Sequence, residues 1–116
     1  MKEYSELYEG KIGVILTNLG TPNAPSKKAL KKYLNQFLMD KRVVDINRLV
    51  WLPILKLIIL NVRPKKSARL YSKIWTDKGS PLMVYMNNIK NEIVKKFSSK
   101  NSFQFEIAMR YGDPSF

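Results

Sequence analysis

"KIGVILTNLGTPNAPS", residues 11–26, is the stretch on which the fold turns. Residues 11–17 form an uninterrupted apolar run rich in β-branched types, the pattern of a strand covered on both faces in a parallel sheet. Within a few residues the run breaks into a loop containing Asn18, Gly20, Thr21, Pro22, Asn23 and Pro25. Ser26 then caps a helix in which Leu30, Tyr33, Leu34, Phe37 and Leu38 recur at three- and four-residue steps, while Lys27, Lys28, Lys31 and Lys32 form a solvated face.

The most apolar part of the chain, "LVWLPILKLIILNV" at 49–62, is interrupted by Pro53 and Lys56. It is too short to cross a bilayer, which takes about 20 apolar residues. It reads either as a core helix with Pro53 in its first turn, or as a surface element that dips into a headgroup region with Trp51 as anchor and nearby cations on anionic lipid. A further helix is expected over 64–74, with Pro64 in its first turn and Arg63, Lys65, Lys66 and Arg69 making its start basic.

"KGSPL", residues 78–82, is a turn feeding a helix, with Ser80 as cap and Pro81 at the first helical position. Leu82, Met86, Ile89, Ile93, Val94 and Phe97 continue along one face, which should pack on the sheet. "SKNS" at 99–102 punctuates. In "FQFEIAMR" Phe103, Phe105, Ile107 and Met109 alternate with Gln104, Glu106 and Ala108, a second strand with a more polar second face.

The order strand, loop, helices, strand, loop is a crossover unit of the α/β class, so the two strands should lie parallel. A sheet of two strands does not stand alone; three or more with a covered face are normally needed. The unit is therefore expected to be an incomplete domain or part of an obligate assembly, its exposed edges paired by something else.

Composition narrows the function. The chain has 116 residues, 45% of them hydrophobic, enough for one domain with a modest core. The formal charge of +12 suits an anionic partner of some kind. Of 21 basic residues 16 are lysine, and no glycine-arginine run or base-stacking aromatic set accompanies them. Cysteine is absent, which excludes a disulfide framework and a thiolate metal site. Histidine is absent too, which removes the usual metal ligand and neutral-pH proton shuttle. The first ten residues carry Glu3, Glu6 and Glu9 and no apolar core, so they do not read as a secretory signal and point to a protein kept inside the cell.

Ligands of open parallel sheets gather at the carboxyl ends of strands, and both "NLGTPNAPS" and "RYGDPS" are expected there, facing one cleft. Neither is a G-x-G-x-x-G or a G-x-x-x-x-G-K-[ST] loop, so a dinucleotide or triphosphate site is not expected.

Three stretches carry a resemblance: "GVILTNLGTPNAP" at 13–25, "RPKKSARLYSKIWTDKGSPLMVY" at 63–85 and "AMRYGDPS" at 108–115. Together, in order and spacing, they resemble the amino-terminal part of bacterial ferrochelatases, the enzymes that make protohaem. The resemblance covers nearly everything after residue 10, leaving 1–10 as an N-terminal extension and 11–116 as a partial chelatase-like domain with an apolar lip at about 37–74. It implies a Rossmann-like, chelatase-type fold of two halves around a porphyrin cleft, of which this is an incomplete first half.

The reaction implied is insertion of ferrous iron into protoporphyrin IX, with the macrocycle bent so that its pyrrole nitrogens lose two protons and admit the metal; no tightly bound cofactor is expected. The family's histidine and glutamate that handle iron and protons lie in its later half. No catalytic or metal-binding residue is therefore expected here, and the chain alone should not chelate iron.

What the resemblance carries over is porphyrin binding. Asn18, Leu19, Gly20, Thr21 and Pro22 match the loop lining the cleft. Arg63 and Tyr71 match lip positions at the pocket mouth, where an arginine fork suits propionate carboxylates. Ser80 matches a position near the propionates, although its role as a helix cap already explains it. Arg110 and Tyr111 match a pair deep in the cleft; an arginine beside a buried strand needs a partner, so a structural ion pair is the competing account. Asp113 departs from the pattern, where a neutral residue is frequent, and the acidic first ten residues match nothing specific.

The expected partners are porphyrin, the remaining half of the fold or another chain, and the inner membrane through the 49–62 lip, with a cytoplasmic location. Nucleic acid is not among them. The competing reading is a non-enzymatic basic module that binds nucleic acid or anionic membrane through its lysine-rich helices.

Overall fold

The computed structural model describes residues 12–97 and 103–115. Its elements are β1 (Ile12–Gly20), α1 (Lys27–Met39), α2 (Arg48–Pro53), a π-helical segment (Ile54–Ile59), α3 (Leu60–Ile74), α4 (Pro81–Lys96) and β2 (Phe103–Tyr111). The expected N-terminal extension at 1–10 and the break at 99–102 lie outside the described residues.

β1 and β2 pair in parallel, from Ile12 opposite Phe103 to Gly20 opposite Tyr111. This is the crossover arrangement expected from the order of elements. β1 runs three residues past the apolar run, so Asn18, Leu19 and Gly20 belong to the strand and the loop proper begins at Thr21. The expectation that β1 is covered on both faces is not met: Ile12, Ile15 and Leu19 are each more than half exposed. The physical reason is that, among the described residues, the sheet has two strands, which gives β1 one neighbour and few elements to lie against. The radius of gyration, 18.8 Å, exceeds the roughly 13 Å of a compact domain this long, consistent with a slab only 15 Å thick.

Both helix caps read from the sequence are made. Ser26 Oγ accepts from the Ala29 N–H at 3.2 Å, and Ser80 Oγ accepts from the Met83 N–H at 3.3 Å with Pro81 opening α4. Each cap satisfies one of the N–H groups that a helix start leaves without an internal partner. Along α4, Met86 is buried, but Ile89, Val94 and Phe97 are substantially exposed, so only part of the apolar face packs on the sheet.

The region 48–74 differs from its sequence reading. Pro53 ends α2 rather than opening a helix, and Pro64 lies inside α3 instead of in its first turn. The right-handed backbone is continuous through Ile54, Ile59 and Leu60, with the Leu60 N–H reaching back five residues to the Leu55 carbonyl. A widened π turn takes up local irregularity that would otherwise end a helix, which is how one run holds two prolines.

Trp51, Leu55 and Leu60 form the main core cluster, with Leu34, Leu38, Met39, Val44 and Ile59 packed against it. Each buried leucine contributes about 2 kcal/mol of apolar transfer. Trp51 is 8% exposed and donates Nε1–H to the Leu38 carbonyl at 2.9 Å, so it is a core residue and not a membrane anchor. The opposite side of the same run is open: Leu49, Val50, Leu57 and Ile58 are exposed, Leu49 to 86%. The run 49–62 therefore buries one face in the core and leaves the other exposed, with neither Pro53 in a first turn nor Trp51 as an outward anchor. No helix among the described residues is long and apolar enough to cross a membrane.

Candidate functional site

The carboxyl ends of both strands meet in one place. Gly20 has φ +123°, and a Cβ there would fall on the Tyr111 carbonyl. Gly112 has φ +84°, and a Cβ there would lie 2.5 Å from the Thr21 carbonyl oxygen. Both positions need glycine twice over, for the left-handed backbone and for the close approach of the other strand's loop. The Tyr33 hydroxyl donates to the Gly20 carbonyl at 3.2 Å, and burial pushes that phenol up to about 12.

Side chains then tie the loops together. Asn23 Nδ2 donates to Asp113 Oδ2 at 2.7 Å, Lys32 Nζ lies 3.7 Å from the same oxygen, and Gln36 Oε1 accepts from the Gly112 N–H at 2.9 Å. The bond from Asn23, followed by the Lys32 charge, holds the Asp113 carboxyl below the usual range. Asp113 is thus a fastener between the loops.

Arg110 and Tyr111 are neighbours on a strand, so their side chains leave on opposite faces. Both nevertheless reach one oxygen: Asp40 Oδ2 accepts from Arg110 Nη2 at 2.9 Å and from the Tyr111 hydroxyl at 2.8 Å. Sharing is feasible because Tyr111 ends β2 and Asp40 ends α1, so the acceptor sits past the edge of the pleat. The Arg42 N–H donates to Asp40 Oδ1 at 2.9 Å. That backbone bond, followed by the one from Tyr111, lowers the Asp40 pKa. Burial, and then the bond to Asp40, raises that of Tyr111. Phe37 packs edge-on against the Tyr111 ring with centroids 5.0 Å apart. Gln36, Met39, Asp40, Lys41, Arg42, Arg110 and Tyr111 line an open cavity of about 490 Å³.

A second hollow, about 200 Å³, is shared by Thr21, Pro22 and Asn23 of the first loop, Asp113 of the second, Lys78, Gly79 and Ser80 of the turn before α4, and Trp75 and Met83. Ser80 is therefore both cap and wall. Thr21 Oγ1 is buried there without a hydrogen-bond partner. The amide of Asn18 reaches Met86 Sδ at 3.6 Å, while the Leu19 side chain is exposed.

Of the sequence-selected residues, Gly20, Thr21, Pro22, Ser80, Arg110 and Tyr111 are brought to this end of the sheet. Tyr71 approaches it through Trp75, edge-on with centroids 6.3 Å apart. Arg63 is exposed on α3 and lines neither hollow. Asp40 and Gln36 were missed. Asp40 carried a usable signal, a carboxylate at a helix C-terminus where the helix dipole favours a cation. Gln36 carried none, since its role depends on where β2 ends. Among the described residues no group of three or more potential ligands gathers to hold a metal ion.

Comparison with known proteins places this architecture. The family model for ferrochelatase matches residues 11–116. The ferrochelatase of Pseudoalteromonas atlantica is 52% identical over 107 residues, covering 90% of this chain and 30% of that protein. Those of Wigglesworthia glossinidia brevipalpis and Azoarcus sp. are 50% and 51% identical, covering 92% and 90% of this chain and 32% and 29% of their own lengths. The chain thus spans about a third of the length of the curated relatives it matches. No solved structure matches it. With nearly the whole described length matched, and at this level of identity, the chain belongs to the ferrochelatase family.

Proposed function

We propose that this chain supplies the porphyrin-facing wall of a ferrochelatase, which inserts ferrous iron into protoporphyrin IX to give protohaem. The observation that supports it most is the junction of the two strand-end loops, Asn23 on Asp113 and Gly112 against Thr21, beside the Arg110–Tyr111 pair. In open parallel sheets that is where ligands bind. On this reading Asn18, Leu19, Gly20, Thr21 and Pro22 face the macrocycle, Arg110 and Tyr111 reach its inner part, and Ser80 lies towards a propionate. Arg63 and Tyr71 stand at the mouth, where the exposed guanidinium is free to fork onto a carboxylate.

Iron and porphyrin are both substrates. Bending the macrocycle turns its nitrogens out of plane, so that two N–H protons leave and the ferrous ion enters. A wall that favours the bent form lowers the barrier by binding that geometry better than the flat one. The glycine-fastened loops give this wall its stiffness. The chain has no histidine, and the family's iron- and proton-handling residues lie beyond the motifs matched here, so the 116 residues bind porphyrin without chelating iron. The exposed Leu49, Val50, Leu57 and Ile58, with cations nearby, extend the lip reading of 37–74 to peripheral contact with an anionic membrane surface on the cytoplasmic side.

The test is titration of the chain with protoporphyrin IX, followed by porphyrin absorbance and tryptophan quenching at low and physiological salt. Binding with little salt dependence supports the reading. Absence of porphyrin binding, together with tight and steeply salt-dependent binding to DNA, would favour a basic module instead.

A further inference from the structure

Asp40 stands against a local electrostatic preference. It closes the C-terminal end of α1, where the helix dipole disfavours an anion, and its side chain is only 13% exposed. What stabilises it are its three donors, from Arg42, Arg110 and Tyr111. Such a placement is found where a side chain is held for use rather than for helix stability. We propose that Asp40 is a positioning residue: it fixes the Arg110 guanidinium and the Tyr111 phenol as one unit on the wall of the 490 Å³ cavity, and it accepts the hydrogen bond of the phenol O–H so that the Tyr111 oxygen meets a ligand as a hydrogen-bond acceptor.

The inference rests on the reading of this pair as porphyrin-facing. An ionised carboxylate has no proton to give, so the 2.8 Å contact is the phenol donating to Asp40. The lone pairs left on the phenol oxygen match an N–H donor. A free-base porphyrin carries inner N–H groups, and a metallated one does not. The ligand class this unit selects is therefore the macrocycle with its N–H groups in place, and the metallated product is the form it releases.

Two measurements on the 116-residue chain test this. The first is the ionisation of Tyr111, taken as the difference in tyrosinate absorbance between the parent and Tyr111→Phe, and repeated in an Asp40→Asn background. The groups facing this phenol are Asp40, Arg110 and Tyr33. Tyr111 is expected to ionise above the ordinary tyrosine range in the parent and to fall back towards it with Asp40→Asn. An unchanged ionisation overturns the proposal.

The second compares the affinity for free-base protoporphyrin IX with that for zinc protoporphyrin. The parent is expected to prefer the free base about tenfold, the value of one well-made hydrogen bond, and Tyr111→Phe to lose that preference. Equal affinities in the parent overturn the acceptor role. If neither porphyrin binds, the proposed function falls, and the tyrosinate titration alone decides whether Asp40 governs Tyr111. If circular dichroism shows that Asp40→Asn unfolds, the parent and Tyr111→Phe still decide the acceptor role.

Discussion

Asn23 and Asp113 are 90 positions apart in the chain and 2.7 Å apart in space, joined by an amide-to-carboxylate hydrogen bond that closes the two strand-end loops into one rim. That bond, followed by the nearby charge of Lys32, depresses the pKa of the Asp113 carboxyl in the fold. A depressed folded pKa gives stability that is present above the unfolded value and is lost as pH falls through the folded one. Thermal unfolding should therefore lose part of its transition temperature as pH drops below about 4. Asp113→Asn should flatten that part of the profile. Identical acid profiles for parent and variant would remove the rim's electrostatic component.

Gly20→Ala combines a backbone conformation that side chains avoid with a collision on the Tyr111 carbonyl. The expected destabilisation is about 3 kcal/mol, from strain and overpacking together. Chemical denaturation measures it, and Gly79→Ala is the comparison. Gly79 shares the positive φ but has open space around its Cβ, so it should cost less.

Tyr33 tests the inner side of the rim at the other end of the pH scale. Its folded pKa, pushed up to about 12, means that stability is complete below the unfolded value near 10 and is lost as pH rises towards 12. At most about 3 kcal/mol is at stake for a shift of this size. The loss should be absent in Tyr33→Phe, which has no phenol proton to release. A parallel decline in parent and variant between pH 10 and 12 would show that other groups govern the alkaline limb.

The two tryptophans should report different things. Trp75 lines the 200 Å³ hollow, whereas Trp51 is sealed in the core. Porphyrin quenching should be largely lost in Trp75→Phe and largely kept in Trp51→Phe. The Trp51 variant should instead lose stability, by about 1 kcal/mol or more, because the Leu38 carbonyl loses its donor. Equal loss of quenching in both variants would separate the porphyrin from the hollow.

Leu49 and Leu57 lie on the open face of the 48–74 run. Substituting both by serine should change stability by less than about 0.5 kcal/mol each, as exposed positions do, while reducing partition onto anionic vesicles. Unaltered partition would detach this face from any membrane role.

The alternation of "FQFEIAMR", the apolar run at 11–17 and the Ser26 and Ser80 caps determined by themselves that two parallel strands enclose a helical crossover, because those preferences act within a few residues of chain. The loops flanking the strands were legible for the same reason, as was Arg110 as a residue in need of a partner. Only the tertiary structure decided what that partner is. Asp40 reaches both side chains because α1 and β2 end at the same point in space, and no spacing in the sequence records where an element ends relative to another. The helix through Pro53 and Pro64 was hidden likewise. A proline argues locally for a helix start or stop, and its override depends on a π turn and on packing of Trp51, Leu55 and Leu60 against α1, which are properties of the assembled core.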